Sequence, residues 1–376
     1  MFLPIALGLA ITVAWIYLAI GNGLFWLPLL PDESAPGNQF PSIDVIVPAR
    51  NEADVLPKTL PSLLTQAYAG PWKIILVDDH SKDETAEAAR KIAAEMKKPE
   101  RLTVISAPDL PEGWSGKVAA MNAGVAASAA DFILFTDADI RHSRRSLEKL
   151  VASATTLNLD LVSRMVKLNC ETVAERLLIP AFVFFFAMLY PFRRANTPNS
   201  LTAAAAGGVM LVRRTMLDCI GGLATIKSAL IDDCSLAKAL KDAGASTEIM
   251  LTSEIASVRT YPRARDVVAM ISRTAYTQLK HSPALLMGTI MGLALLFVAP
   301  FLLFLFAPMT AAPLLGLGSI ILMLTLYIPM VHFYRLPLAW ALTLPVAALV
   351  YAFATIDSAR LYHQGHGGQW KGRAQA

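Results

Sequence analysis

Charge is scarce in this sequence. Charged residues make up 16% of its 376 positions and hydrophobic residues 55%, whereas a soluble domain carries about 25% charged. The deficit is local: residues 3–30, 283–331 and 336–356 contain no charge at all. Length alone would allow two soluble domains, and this distribution excludes them. Cysteine is also sparse. Cys170, Cys219 and Cys234 show no CxxC spacing and no pairing pattern, which argues against a disulfide framework or a zinc site and fits a reducing compartment. Nucleotide and hydrolase signatures are missing too. No G-x-G-x-x-G follows an expected strand, and the stretch Gly113-Trp114-Ser115-Gly116-Lys117-Val118 fails both as a P-loop and as G-x-S-x-G. Kinase, NTPase, hydrolase and dehydrogenase readings therefore lose their specific support.

The uncharged runs set the outline. A helix needs roughly 20 apolar residues to cross a bilayer, so the N-terminus offers one span and the C-terminal part three, near 284–307, 309–331 and 337–357. The N-terminal run lacks a basic leading region and is too long for a signal-peptide core, so a retained anchor is expected. We expect an anchor over 1–31, a globular domain over 32–280, transmembrane helices over 281–357 and a basic tail over 358–376. Within residues 172–195, the run 179–192 is aromatic and apolar, with Arg176 before it and Arg193 and Arg194 after it. They read as an interfacial helix, with a buried core helix as the alternative. The net charge of +4 does not suggest nucleic acid. Arg259, Arg263, Arg265, Arg273 and Lys280 crowd before the second span, which places the globular domain on the cytoplasmic side. They would serve equally as a headgroup contact or a solvated face. Three C-terminal spans would put the tail outside, whereas Arg360, Lys371 and Arg373 argue for inside. Either one run is re-entrant or the tail breaks the rule. His363 and His366 read as polar residues near headgroups, and Trp370 as an interfacial anchor.

Between the spans, strands are expected at 43–47, 73–77, 102–105 and 132–136, alternating with helices at 53–66, 83–97 and 117–128. This is an α/β pattern: a Rossmann-like, doubly wound, mostly parallel sheet, in which ligands bind beyond the carboxyl ends of the strands. Acids collect at those ends. The first strand runs into Pro48-Ala49-Arg50-Asn51-Glu52, the second into Asp78-Asp79, and the fourth into Asp137-Ala138-Asp139. Asp79 or Ser81 alone would serve as a helix cap, but three such ends on one rim suit a hard cation. Mg²⁺ or Mn²⁺ binds through one or two carboxylates plus substrate phosphates. Asp137 and Asp139 are the candidate metal residues, and Lys117, opening a helix, is a second positive contact for a diphosphate. Asp232 and Asp233 open an amphipathic helix. Acids there complement the helix dipole, but partial burial after Ala229-Leu230-Ile231 would make one of them a base. Gly207-Gly208, inside an apolar run, suggests close backbone approach to a ligand.

In this order the motifs Val47-Pro48-Ala49-Arg50-Asn51-Glu52, Val77-Asp78-Asp79, Gly116-Lys117 with Asn122, Asp137-x-Asp139 and Asp232-Asp233 resemble family 2 glycosyltransferases, over most of 43–280. The stretches 175–192, 202–214, 229–237, 273–279 and 367–376 are similar to the hopene-associated glycosyltransferases of bacterial hopanoid gene clusters. The resemblance implies a GT-A fold and a nucleotide-sugar donor, with UDP the expected carrier. It implies donor contacts by Pro48, Arg50, Glu52, Asp79 (to base or ribose), Lys117 and Asp137, and metal at Asp137 and Asp139. It further implies Asp233, beside Asp232, as base of an inverting displacement, and Gly207, Gly208 and Arg273 on the acceptor side. Lipid-directed members carry Q/R-x-x-R-W. Here Arg273 matches the arginine and Thr274 stands where tryptophan is expected. A bacterial inner-membrane, multi-pass enzyme acting on a hopanoid-like lipid is implied. The alternatives are a processive polysaccharide synthase of the same fold and a non-catalytic scaffold of a lipid-making complex.

Overall fold

The computed structural model describes residues 2–31, 39–370 and 373–374. Residues 32–38, at the start of the expected globular domain, and Lys371 of the basic tail lie outside the described residues. The chain forms two compact units. One, the globular unit, comprises Leu29–Asn169, Arg194–Thr260 and the tail from Gln369. The other, the helical unit, comprises Met1–Pro28, Cys170–Arg193 and Tyr261–Gly368.

The globular unit is built on a sheet of strands β1 (Ile43–Ala49), β2 (Trp72–Asp78), β3 (Leu102–Ser106), β4 (Phe132–Phe135), β5 (Ile140–Arg141), β6 (Leu161–Lys167), β7 (Met210–Arg213) and β8 (Thr247–Ser257), in the order β3-β2-β1-β4-β7-β6-β8-β5. β3, β2, β1 and β4 are mutually parallel, with Val45 opposite both Ile74 and Leu134. Alternation buries both faces of these strands. Ile43, Val45, Val47, Ile74, Leu76, Phe132 and Leu134 pack with Leu56, Leu60, Leu63 and Leu64 of the helix Leu56–Leu64. Ile46, Ile75, Val77, Ile133 and Phe135 pack on the other side with Val118 and Met121 of Gly116–Ala126 and Leu236 and Leu240 of Asp232–Asp242. Strands buried on both faces read as continuous apolar runs, which is why these were visible in the sequence.

The far half is mixed rather than parallel. β7 runs antiparallel to both β4 and β6, β6 and β8 are parallel, and β5 is antiparallel to β8. The sheet is mostly parallel, as expected, with four of its seven pairings parallel, and the antiparallel pairings fall in this half. The reversal matters for the site: β7 enters the sheet from the edge at which β1, β2, β4 and β8 leave it. That single rim therefore receives Arg50–Glu52, Asp78-Asp79, Thr136–Asp139, Gly207-Gly208 and Arg259.

Among the described residues, the helical unit contains four helices long and apolar enough to cross a membrane: Phe2–Gly21, Pro283–Phe306, Ala312–Phe333 and Leu338–His363. Val173–Leu189 also belongs to it. This helix starts with a capping box, Thr172 accepting from Glu175 N–H and Glu175 accepting from Thr172 N–H. Its Phe184 and Phe185 meet Tyr327, Phe297 and Tyr351 edge-on, with ring centroids 5.0–5.3 Å apart. In the tail, Gln369–Trp370 and Arg373–Ala374 pair antiparallel.

Candidate functional site

Lys117 is the hub of the rim. It stands at the second position of the helix Gly116–Ala126. Its Nζ lies 2.9 Å from Asp137 Oδ1 and 3.1 Å from Asp232 Oδ2. Burial opposes its charge, but Asp137 and Asp232 outweigh that and hold the ammonium above the usual lysine range. Asp233 is the neighbouring carboxylate. Its Oδ2 accepts from Gly207 N–H at 2.8 Å and its Oδ1 from Cys234 N–H at 2.7 Å. Burial, reinforced by the adjacent Asp232, pushes its pKa up to about 6 against Lys117 and the two backbone donors. A Cβ on Gly207 would sit 3.3 Å from Lys117 Nζ and 3.4 Å from Asp233 Oδ2, so glycine is what lets the backbone come this close. Gly208 has a different setting: its Cβ would meet both methyls of Val166 at 3.2 Å.

A second cluster surrounds Asp139. Its Oδ2 accepts from Arg259 Nε at 2.6 Å, and Arg259 Nη2 lies 3.2 Å from both carboxylate oxygens of Glu52. Arg259 was grouped in the sequence with the bases before the second span. It is instead a rim residue of the globular unit, two positions past the end of β8, whereas Arg263, Arg265, Arg273 and Lys280 are exposed in the helical unit. The signal that could have found it is its place just beyond a strand end, the same signal that marked Asp79 and Asp139.

The third group links the first two strand ends. Arg50 Nη1 donates to Asp79 O at 2.5 Å and lies 3.5 Å from Asp79 Oδ2. Asn51 N–H donates to Ser81 Oγ, Glu52 N–H to Thr85 Oγ1 and Ala53 N–H to Asp83 Oδ2. Asn51 and His80 both hold φ of 52°, a left-handed conformation uncommon for residues with a Cβ and best tolerated by Asn, Asp and His. Pro48 is buried within β1, opposite Val77, one residue short of the rim's polar end. The structure thus brings Arg50, Glu52, Asp79, Lys117, Asp137, Asp139, Gly207, Gly208, Asp232 and Asp233 to one edge. Arg273 belongs to the helical unit, where it caps the C-terminus of the helix Ala264–Ser272.

Among the described residues no three histidine, cysteine or acidic side chains converge as a metal-ligand set. Asp137 and Asp139, already ion-paired to Lys117 and Arg259 respectively, offer the oxygen donors that a hard divalent cation takes. Against the charges of Lys117 and Arg259 stand Glu52, Asp137, Asp139, Asp232 and Asp233, so the rim carries excess negative charge. Asp137 is the more open member of the pair, its side chain 36% exposed. A pair of carboxylates whose remaining ligands come from phosphate and water is the usual magnesium arrangement.

Comparison with known proteins bears on the fold and the family. Residues 44–221 match the sequence model of the family described as Glycosyl transferase family 2. A 4,4'-diaponeurosporenoate glycosyltransferase of Staphylococcus haemolyticus is 34% identical over 123 residues, 32% of this chain and 31% of that protein. Glycosyltransferase AglE of Haloferax volcanii is 30% identical over 140 residues, 36% of this chain and 44% of that protein. The chain thus spans less than half the length of these curated relatives. In fold it is similar to the mannosyltransferase PcManGT from Pyrobaculum calidifontis, solved in complex with GDP-Man and Mn²⁺. That likeness has a TM-score of 0.53 and 18% identity, and covers 93% of this chain and 99% of that one. The fold is GT-A, and residues 44–221, just under half of the chain, match glycosyl transferase family 2.

Proposed function

We propose that this chain is a membrane-bound, inverting glycosyltransferase. It moves a sugar from a nucleotide-diphosphate sugar, with UDP as carrier, to the hydroxyl of a lipid of the hopanoid type. The observation that supports this best is the buried carboxylate of Asp233, pushed up to about 6 beside an ammonium shared by Asp137 and Asp232. A base poised near neutrality next to a cationic diphosphate contact is what a single displacement at a sugar carbon needs. Asp233 accepts the proton of the acceptor hydroxyl as its oxygen bonds to the sugar. The bond from sugar to diphosphate breaks on the opposite side, and inversion follows from that geometry. Gly207 N–H and Cys234 N–H hold the Asp233 carboxylate in place. Lys117 faces the negative charge left on the diphosphate. Asp137 and Asp139 are the residues that would hold Mg²⁺ or Mn²⁺, which when bound supplies further neutralisation of that leaving group. Arg50, Glu52 and Asp79 form the donor's nucleoside side, and Gly207 and Gly208 the acceptor side.

The lipid acceptor is supported by four helices able to cross a membrane and by a relative whose name gives 4,4'-diaponeurosporenoate as its substrate. The arrangement we propose is a catalytic domain facing the cytoplasm, carried on a multi-pass anchor in a bacterial inner membrane. The test is transfer from UDP-sugars to a hydroxylated hopanoid by the full chain in detergent, read by lipid mass spectrometry. We expect a single glycosyl increment, lost with EDTA and restored by Mn²⁺. A ladder of products would favour the polysaccharide synthase. No nucleotide-sugar binding by calorimetry with either ion would favour the scaffold and overturn the proposal.

A further inference from the structure

The helix Leu56–Leu64 packs on the sheet through Leu56, Leu60, Leu63 and Leu64. Polar residues interrupt that apolar face. Thr59, Ser62 and, in the turn that follows, Gln66 are spaced by three and four, so they form one stripe. Thr59 is 1% exposed and Gln66 8%. Burying such groups costs free energy unless they are bonded, and an apolar stripe would serve the core as well. What they bond to is therefore informative.

All three reach the segment that carries Asp137 and Asp139. Thr59 Oγ1 donates to Ala138 O at 2.7 Å, Ser62 Oγ accepts from His142 N–H at 3.0 Å, and Gln66 Nε2 donates to Ser143 O at 2.8 Å. Gln66 Oε1 accepts from Ser146 Oγ and from Leu147 N–H. The buried ring of His142 lies 3.1 Å from Ser146 Oγ and 3.0 Å from Thr136 Oγ1, and Thr136 Oγ1 donates to Gly208 O at 2.7 Å.

The backbone of the acidic loop can be followed carbonyl by carbonyl. Asp137 O accepts from Ile140 N–H, within the loop, and Asp139 O from Val258 N–H, just past β8. Ala138 O, between them, takes its donor from a side chain, Thr59. The peptide planes on either side of Ala138 set where both carboxylates leave the chain. Thr59 also lies 3.3 Å from Val55 O of its own helix, but the shorter bond goes to the loop.

We propose that Thr59, backed by Ser62 and Gln66, is a positioning residue that fixes the Asp137-Ala138-Asp139 loop for the metal-bound diphosphate. The inference rests on the reading of those two aspartates given above. Thr59 touches neither metal nor donor; it acts through the loop. Supporting residues of this kind typically change metal affinity by about 10–100-fold when removed.

Thr59→Val keeps the shape and removes the hydroxyl, and Thr59→Ser restores it. The experiment is calorimetric titration of UDP, and separately of GDP, into the full-length chain in detergent with Mn²⁺, beside thermal unfolding without nucleotide. Thr59→Val should weaken binding about tenfold and lower the melting temperature modestly, because Ala138 O loses its donor, while Thr59→Ser stays within about twofold and melts near wild type. Leu60→Ala, a core change on the same helix, should lower the melting temperature and leave affinity alone. Ser62→Ala is less buried and serves as the second variant, with a weaker loss of affinity. Wild-type affinity in Thr59→Val, equal losses in Val and Ser, or losses that track melting, Leu60→Ala included, would overturn the inference alone. A wild-type chain that binds neither nucleotide would overturn the proposed function and this inference with it.

Discussion

Arg259 Nε lies 2.6 Å from Asp139 Oδ2 and its Nη2 3.2 Å from either oxygen of Glu52. One guanidinium thus holds together two acids that come from different strand ends, after β1 and β4. The planar fork makes this possible, because an ammonium offers no such fixed pair of directions. Arg259→Ala would leave Glu52 and Asp139 facing each other without their shared cation. We expect kcat/KM for glycosyl transfer to fall by about 10²-fold, as for loss of other pre-set charge contacts. Arg259→Lys should recover only part of it. Steady-state kinetics with saturating Mn²⁺ checks both. Activity unchanged in Arg259→Ala would remove this residue from the site.

Asp233 gives a prediction in pH. Its folded-state pKa is raised to about 6 from an ordinary 3.8, chiefly by burial. The base works when ionised, so turnover should rise with pH along a limb centred near 6, and Asp233→Asn should abolish both the turnover and that limb. Stability runs the other way. Between 3.8 and about 6 the folded state keeps a proton that the unfolded chain has released. Its contribution is therefore full below the unfolded value and is lost as pH rises through the folded one. Asp233→Asn should melt above wild type at pH 7–8 and show no such gain at pH 4. Equal melting temperatures at both pH values would contradict a desolvated carboxylate.

The strands that bring these residues together were legible to different degrees. β1, β2 and β4 are buried on both faces, so their apolar runs and the acids that end them stood out locally. β7 is only Met210–Arg213, embedded in a longer apolar stretch, and no local pattern states that it runs backwards. That reversal carries Gly207 to Asp233, a pairing across 26 positions that sequence order alone does not give. Arg259 is separated from Asp139 by 120 positions. Its neighbours Arg263 and Arg265 made it look like one more juxtamembrane base, and only the course of β8 separates them. Thr59 was invisible for another reason. A threonine in an apolar helix reads as tolerated filler until its hydroxyl is seen to meet a particular carbonyl.

Not every buried charge belongs to the rim. Arg164 Nη1 meets Glu248 Oε1 at 2.8 Å where β6 and β8 pair, with both side chains under a tenth exposed. Arg164 also donates to Ser163 O and Ser153 Oγ, and burial lowers its pKa. Removing one partner strands the other charge in the core. Glu248→Ala should therefore destabilise the globular unit by about 3–5 kcal/mol, read by denaturant unfolding. A paired Arg164→Met, Glu248→Leu change should recover most of it. Nucleotide affinity of the folded fraction should stay at the wild-type value in both, because neither side chain reaches the rim. A loss of affinity there would mean that the sheet edge and the β6–β8 pairing are coupled.

Gly207 and Gly208 are adjacent but should fail in different ways. Neither has a positive φ among the glycines so placed, so alanine is compatible with the backbone at both. At Gly207 the added methyl meets Lys117 Nζ and Asp233 Oδ2, the ends of two side chains that can give by a few tenths of an ångström. Gly207→Ala should fold and melt near wild type, yet lose at least about tenfold in kcat, because both groups are moved where charge and proton must be placed to within about 0.5 Å. At Gly208 the methyl meets Val166 and Ile140 side chains at 3.2–3.4 Å, a packed apolar contact. Gly208→Ala should cost about 1–3 kcal/mol of stability through overpacking, with kcat of the folded fraction largely kept. Measuring melting and kcat on both variants separates the two. If Gly207→Ala lost stability and kept its turnover, the close approach of this backbone to Lys117 and Asp233 would be a packing feature, and the catalytic reading of Asp233 would lose its main geometric support.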